Sequence, residues 1–89
     1  MKQHAIITGA GTGVGRHTAI ALAKAGWALT LNGRTLSTLE ETRESCQAHG
    51  TRCHIVAGSI AERGFAVRLI QEAIQTHGAV GVLCNAAGT

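Results

Sequence analysis

The sequence predicts an α/β domain built on a doubly wound parallel sheet, because three features of its pattern agree. Short apolar runs alternate with longer stretches of helical periodicity. A glycine follows each helical stretch, where a left-handed residue would end the helix. Strands that alternate with helices of this length require right-handed crossovers, which produce parallel strands with helices on both faces. We therefore expect the order β-α-β-α-β-α-β within a single domain, residues 1–89.

Seven elements account for most of the chain. In order, they are predicted as strand 5–8, helix 13–25, strand 27–31, helix 36–49, strand 52–57, helix 65–77 and strand 80–84. Apolar or small residues at helical spacing predict the buried faces. These residues are Val14, Thr18, Ala21, Leu22 and Ala25 in the first helix, Leu36, Leu39 and Cys46 in the second, and Ala66, Leu69, Ile70, Ala73, Ile74 and His77 in the third.

Composition and charge argue against several classes of protein. The net charge is +3, but the eight Lys and Arg residues are scattered, and aromatic residues make up only 2%. A nucleic-acid partner is therefore not expected, since such modules use basic stripes and aromatic platforms. No segment approaches the ~18 apolar residues of a membrane helix, and no signal peptide is evident. Three cysteines without framework spacing favour a reduced, cytoplasmic setting.

Cysteine and histidine letters cluster around the third strand without predicting a metal site. Cys46, His49, Cys53 and His54 have a spacing that resembles a ligand set. Cys53 and His54 are successive residues of a strand, so their side chains point to opposite faces. Four tetrahedral ligands are therefore not expected. Cys84 has no sequence-readable partner and is interpreted as a core residue.

The turn between the first strand and the first helix predicts an anion site. It reads Thr8-Gly9-Ala10-Gly11-Thr12-Gly13-Val14-Gly15. Glycines let the backbone approach a ligand closely, and the helix start presents unpaired N–H groups and a positive dipole end. The spacing fits neither a P-loop nor Gly-x-Gly-x-x-Gly. A glycine-rich turn without a ligand is the alternative.

Two motifs of the chain resemble the short-chain dehydrogenase/reductase family. The first is Thr-Gly-x3-Gly-x-Gly, the family fingerprint, carried by residues 8–15. The second is Asn85-Ala86-Ala87-Gly88 after the fourth strand, where the family usually has Asn-Asn-Ala-Gly and where Ala86 departs from the pattern. The resemblance covers all 89 residues. It implies a Rossmann-like fold with strand order 3-2-1-4, and a dinucleotide bound by both motifs.

The end of the second strand favours NADP(H) over NAD. Dinucleotide folds select NAD with an acid here, but the chain has no Asp, and Gly33 stands at about that place. Arg34 and Thr35 follow, and a guanidinium can bind a 2′-phosphate through charge-assisted hydrogen bonds. A solvated Arg34 is the alternative, and Arg16 is a weaker second candidate. After the third strand, Ser59-Ile60 stand where the family commonly places an Asp and an apolar residue against adenine.

The resemblance implies hydride transfer between a nicotinamide dinucleotide and a small carbonyl or alcohol substrate. The family's proton donor is the Tyr of Tyr-x3-Lys, but this chain contains no Tyr, so no catalytic residue is assigned. We expect the cofactor-binding half of a longer enzyme. Because the fourth strand would be a bare edge, we also expect a homo-oligomer. The alternatives are a non-catalytic nucleotide-binding or regulatory module, and a structural fragment without a ligand.

Overall fold

The computed structural model describes residues 3–86 and contains one four-stranded parallel sheet with the order β3-β2-β1-β4. The elements are β1 (His4–Thr8), α1 (Gly13–Lys24), β2 (Ala28–Gly33), α2 (Leu36–Gln47), β3 (Cys53–Ala57), α3 (Phe65–His77) and β4 (Val82–Asn85). Helices α1 and α2 pack on one core cluster and α3 on another, as a doubly wound sheet requires. The predicted fold class and strand order are confirmed.

Two of the strands, β2 and β4, end later in the chain than the sequence predicted. Strand β2 ends at Gly33 rather than at residue 31, because Gly33 pairs with Ala57 of β3. Strand β4 ends at Asn85, which pairs with Thr8 of β1. The backbone hydrogen bonds between strands therefore align the last residues of β1, β2 and β3, which precede the turns. All these turns, and the residue after β4, meet at one edge of the sheet.

The buried face of α1 differs from the predicted one. Gly15, Ala19 and Ala23 are buried, whereas Val14, predicted to face the core, is 75% exposed. The predicted stripe of Val14, Thr18 and Leu22 lies one residue before the buried stripe of small residues, and Ile20 and Leu22 pack only partly buried against the same core. Small residues let a helix approach its neighbours closely, so this face keeps the start of α1 near the ends of the strands.

Helix α2 buries Leu39 and Cys46 as predicted, while Leu36 is half exposed because it lies at the first position of the helix. The third buried residue of α2 is Thr42, a polar residue that the apolar pattern did not include. Its contact is described with the site below, because it joins α2 to the glycine turn.

Helix α3 buries only the residues directly above the sheet. Phe65, Leu69 and Ala73 are buried and pack around Ile6 of β1. Three members of the predicted stripe are exposed, namely Ala66, Ile70 and Ile74. The apolar face of α3 is thus wider than the area that the described residues cover. Within residues 3–86, no helix has the length and apolar character needed to cross a membrane.

Candidate functional site

A cleft of about 490 Å³ opens at the carboxyl edge of the sheet. The turns after β1, β2 and β3 line it, together with one residue after β4. The lining residues are Gly9, Thr12, Gly13, Val14, Asn32, Gly33, Arg34, Gly58, Ser59, Ile60, Ala61 and Ala86. In open parallel sheets this edge is the usual position of a nucleotide, because the strand order reverses there.

The glycine turn after β1 is closely packed on one side and open on the other. A Cβ atom on Gly15 would lie 2.0 Å from the carbonyl oxygen of Gly9, so the first turn of α1 rests directly on the backbone of the turn. Gly13 has φ +55°, and a Cβ there would meet nothing within 4 Å, so it faces open space. The glycines therefore serve two purposes, close packing behind the turn and an open approach in front of it.

The start of α1 leaves its first backbone N–H groups available to an anion. Thr12 is the N-cap residue, in extended conformation, and its side chain makes no capping hydrogen bond. The first turn contains no acidic residue. The amides of Gly13 and Val14, both lining residues, thus carry the positive end of the helix dipole toward the cleft. This arrangement is complementary to a phosphate.

Helix α2 braces the glycine turn from the side away from the cleft. The buried hydroxyl of Thr42 donates to the carbonyl oxygen of Ala10 at 2.9 Å. One turn earlier, Thr38 contacts Gly11 so tightly that a Cβ on Gly11 would lie 2.3 Å from its hydroxyl oxygen. Sequence reasoning missed both threonines. The available signal was their i, i+4 spacing, which places two hydroxyls on one face of a helix.

Asn32, near the end of β2, links the turn after β1 to strand β3 and the turn after it, and was also missed. Its backbone carbonyl accepts a hydrogen bond from the Ala10 N–H at 2.8 Å. Its side chain, 1% exposed, donates to the carbonyls of Val56 at 2.9 Å and Gly58 at 3.2 Å. An amide side chain inside an otherwise apolar strand was the signal, since a buried polar group needs partners.

The residues after β2 divide between the cleft and helix α2. Arg34 is exposed and lines the cleft, and within residues 3–86 it makes no ion pair. Thr35, predicted beside it, is instead the N-cap residue of α2, and its carbonyl accepts the Thr38 hydroxyl at 3.0 Å. Arg16 lies outside the cleft and pairs with Glu41 at 3.6 Å. Arg34 is therefore the one predicted cation that the structure brings to the cleft.

The turn after β3 forms the third wall. Ser59 and Ile60 line the cleft, and the Ser59 hydroxyl accepts the Ala61 N–H at 3.2 Å. Gly58 has φ +150°, and a Cβ on it would lie 2.3 Å from the ring of Phe65. The sequence analysis did not assign Gly58 to the site. Its conformation and its contact with α3 explain why the wall begins with a glycine.

The second motif joins β4 to β1 behind the glycine turn. The Thr8 hydroxyl donates to the side-chain oxygen of Asn85 at 2.8 Å. Thr8 and Asn85 therefore hold the two strands together rather than line the cleft, whereas Ala86 lines it. Ala87 and Gly88, also predicted to contact the cofactor, lie outside the described residues.

The cysteines and histidines around β3 form local pairs. In the described part of the chain, no three His, Cys, Asp or Glu residues lie close enough to hold a metal ion. The Cys53 thiol contacts Cys46, which lowers the pKa of Cys46, and the same contact together with burial raises the pKa of Cys53. His54 pairs with Glu72 of α3.

A histidine pair occupies the opposite, amino-terminal edge of the sheet, where His4 is buried and His77 is half-buried. His4 donates from Nδ1 to the Gly78 carbonyl at 3.2 Å, and its Nε2 accepts the Thr30 hydroxyl at 2.9 Å. His77 donates to the Leu29 carbonyl at 3.1 Å, and the two rings meet edge to face at 4.9 Å. Burial lowers the pKa of both histidines. This cluster is far from the cleft and is structural.

The parallel sheet, the glycine turn leading into an uncapped helix start, and the cleft beside them define a dinucleotide-binding α/β domain. The family profile described as short chain dehydrogenase matches residues 3–89. The chain therefore belongs to the short-chain dehydrogenase/reductase family, as the two sequence motifs predicted.

Individual relatives agree with this assignment. The short-chain dehydrogenase/reductase homolog YusS of Bacillus subtilis is 34% identical over 86 residues, which span 96% of this chain and 79% of the relative. L-sorbose reductase of Gluconobacter frateurii, solved with NADPH and L-sorbose, superimposes with a TM-score of 0.92 at 29% identity, over 99% of this chain and 34% of that enzyme. An alcohol dehydrogenase of Thermococcus sibiricus, solved with 5-hydroxy-NADP, superimposes with a TM-score of 0.88 at 26% identity, over 93% of this chain and 36% of that enzyme. The chain thus spans about a third of the two solved enzymes and about four fifths of the Bacillus relative.

Proposed function

We propose that this chain binds NADP(H) and forms the cofactor-binding part of an oxidoreductase that interconverts a small ketone and its alcohol. The observation that carries the proposal is the start of α1, whose uncapped amides open into the cleft beside the close-packed glycine turn. The bound dinucleotide would supply the hydride. The chain's own residues hold and orient it.

The pyrophosphate is assigned to the glycine turn. Gly13 and Val14 would donate backbone hydrogen bonds to the phosphate oxygens, because their amides open into the cleft. Gly9, Gly11 and Gly15 permit this geometry, since side chains there would collide with neighbouring atoms or require a strained backbone. Thr12 lines the same wall and is assigned to the phosphates with them.

The adenosine half is assigned to the turns after β2 and β3. Arg34 would bind the 2′-phosphate, because it is the exposed cation at the cleft and is free of ion pairs within the described residues. Gly33 carries no carboxylate that would repel this phosphate. Ser59 and Ile60 would border the adenine. The NADPH and 5-hydroxy-NADP in the two solved relatives support this choice of cofactor.

The remaining site residues are assigned as follows: Thr35, at the start of α2, and Asn85, bonded to Thr8, would support the cleft from behind, and the segment 86–88 would border the cofactor. We further propose a cytoplasmic location, since Cys46, Cys53 and Cys84 are free thiols. A homo-oligomer is proposed because β4 has an unpaired outer edge within residues 3–86, where Leu83 is 57% exposed.

A second candidate is a nucleotide-binding or regulatory module without catalysis. The 89 residues contain no Tyr, and the Bacillus relative is matched over 79% of its length. Consumption of NADPH by the protein in the presence of small ketones separates the two candidates. Turnover supports the oxidoreductase, whereas tight NADPH binding without turnover supports the module.

Isothermal titration with NADPH and NADH tests the proposed cofactor. The protein should bind NADPH more tightly, and Arg34→Met should weaken NADPH binding about 10- to 100-fold, because charge-assisted hydrogen bonds contribute about 1.5–3 kcal/mol. NADH binding should change little. Arg52→Met is the matched control, since Arg52 is exposed and lies before β3 at the opposite edge of the sheet. The cofactor assignment is wrong if neither nucleotide binds, or if Arg34→Met leaves the preference unchanged.

A further inference from the structure

Asn32 connects two walls of the cleft. It lies near the end of the second strand, between the glycine turn on one side and the turn after β3 on the other. Its backbone oxygen holds Ala10, and its side-chain nitrogen holds the carbonyls of Val56 and Gly58. One residue thus connects the wall that receives the phosphates with the wall that begins at Gly58.

The Asn32 side chain is buried, with 1% exposure, although its two hydrogen bonds are only partly buried. Its nitrogen donates to the carbonyl of Val56, in β3, and to that of Gly58, in the turn that follows. Water can replace the amide donor at these carbonyls only in part, so removal of the amide weakens the link between β2 and the turn after β3. The turn of residues 58–61 would then be free to move away from β2. Asn32 itself also lines the cleft.

We propose that Asn32 is the positioning residue for the adenosine half of the nucleotide site, an inference that rests on the proposed function. Its amide holds the turn that carries Ser59 and Ile60 at a fixed position relative to Arg34 on the adjacent turn. The distance between these two walls sets how well the adenine and the 2′-phosphate are held together. The phosphate-binding amides of α1 belong to a separate wall, whose support comes from Thr42 and from backbone contacts.

The test compares two probes that occupy different halves of the site. The probe 2′,5′-ADP requires both adenosine walls, whereas inorganic pyrophosphate requires only the glycine turn. Asn32→Ala should weaken binding of 2′,5′-ADP about 10-fold, which corresponds to about 1.4 kcal/mol. The affinity of this variant for pyrophosphate should stay within about twofold of the native value, since the carbonyls that lose their donor lie away from the start of α1. Calorimetric titration of the purified full chain measures both.

Thr30→Val is the matched control. Thr30 is a buried polar residue of the same strand, and its hydroxyl bonds to His4 at the opposite edge of the sheet. Loss of the Thr30 hydroxyl should lower the free energy of unfolding about as much as Asn32→Ala does. It should leave the affinities for 2′,5′-ADP and pyrophosphate unchanged. The comparison therefore separates a positioning role from general destabilisation.

Asn32→Asp is the second variant, which keeps the size of the side chain and removes its donors. An ionised carboxylate facing two carbonyls should weaken 2′,5′-ADP binding at pH 8. Protonation restores one donor, so the deficit relative to the native protein should shrink at pH 5.5. Hydrogen exchange of the Gly58 amide, which donates to Gly33, should be faster in this variant at pH 8, while the Gly81 amide, which donates to His4, should be unaffected.

The outcomes separate the two proposals. If the native protein binds pyrophosphate but neither 2′,5′-ADP nor NADPH, the NADP(H) assignment fails, and the role of Asn32 fails with it. If the native protein binds 2′,5′-ADP but both Asn32 variants bind it equally well, only the role of Asn32 is refuted. An equal loss for both probes, or an equal loss in Thr30→Val, also refutes it.

Discussion

The two edges of the sheet use buried polar groups in opposite ways. At the amino edge, His4, Thr30 and His77 bond to one another or to backbone carbonyls, and the cluster is closed. At the carboxyl edge, Asn32 and Thr42 bond to the backbone of the turns, while the amides at the start of α1 are left without side-chain caps. The polar side chains of the amino edge bond within their own cluster. Those of the carboxyl edge bond to the backbone of the turns and leave the amides at the start of α1 uncapped.

This difference shows how one fold separates stability from binding. Strand β2 passes through both regions, with Thr30 facing the closed cluster and Asn32 at the open cleft. Substitutions at the amino edge should therefore change the free energy of unfolding without changing ligand affinity. Substitutions at the carboxyl edge should change both, because the same contacts shape the turns.

The largest expected effect is at Gly15. A methyl group in Gly15→Ala would lie 2.0 Å from the Gly9 carbonyl oxygen, so the turn must shift. We expect a loss of about 3 kcal/mol in unfolding free energy and no detectable NADPH binding. Gly81→Ala at the amino edge is the control, since its methyl group would meet its nearest atom at an ordinary 3.6 Å. Urea unfolding and NADPH titration measure both variants, and equal behaviour would contradict the comparison.

The next effect is an acid-dependent loss of stability at the amino edge. Burial lowers the folded-state pKa of His4 and His77 below their ordinary value of about 6.5. The unfolded chain therefore binds protons first, so stability is fully present above about pH 6.5 and falls as the pH drops below it. Arg52 and His54 lie near His77 and oppose its protonation further.

Urea unfolding between pH 7.5 and 5.5 measures this dependence. His4→Gln should flatten the curve in part, because one of the two groups that must charge is gone while His77 remains. His17→Gln is the control, since His17 is exposed on α1 and should leave the native curve unchanged. A native curve that is flat, or that rises toward acid, would show that the histidine pair is not buried in its neutral form.

The smallest effect sharpens the role of α2 at the carboxyl edge. Thr42→Val removes the hydroxyl that bonds to Ala10, and we expect a loss of about 1 kcal/mol with severalfold weaker NADPH binding. Ser45→Ala on the same helix removes an exposed bond to the Glu41 carbonyl and should change the unfolding free energy by less than about 0.5 kcal/mol. Thr42→Val with native affinity would show that α2 does not support the turn.

Sequence reasoning recovered the fold because glycine and periodicity mark every element of it. The glycines after the three helices and the apolar strands were enough for the order 3-2-1-4 once the family motif was recognised. It failed on the face of α1, where Gly15, Ala19 and Ala23 are buried and Val14 is exposed. The predicted and the buried stripes have the same helical spacing but differ by one residue, because spacing along the chain does not determine how a helix is rotated about its axis.

The motifs pointed to residues that line the cleft but not to the side chains packed behind them. Four residues of the glycine turn line the cleft, together with Arg34, Ser59 and Ile60. Asn32, Thr38 and Thr42 were not foreseen, because each makes its contact with a residue distant in sequence. Such partners depend on the register of strands and on the orientation of helices, which spacing along the chain does not contain.

The small contact face of α1 has a consequence for residues that no ligand touches. Gly15 and Ala23 are eight residues apart, about 12 Å along the helix axis, and both are buried on one face. A larger side chain at Ala23 is expected to push that end of α1 away from the core and to shift the first turn of the helix with it. The position of the amides at the start of α1 is therefore expected to depend in part on an alanine near the other end of the helix.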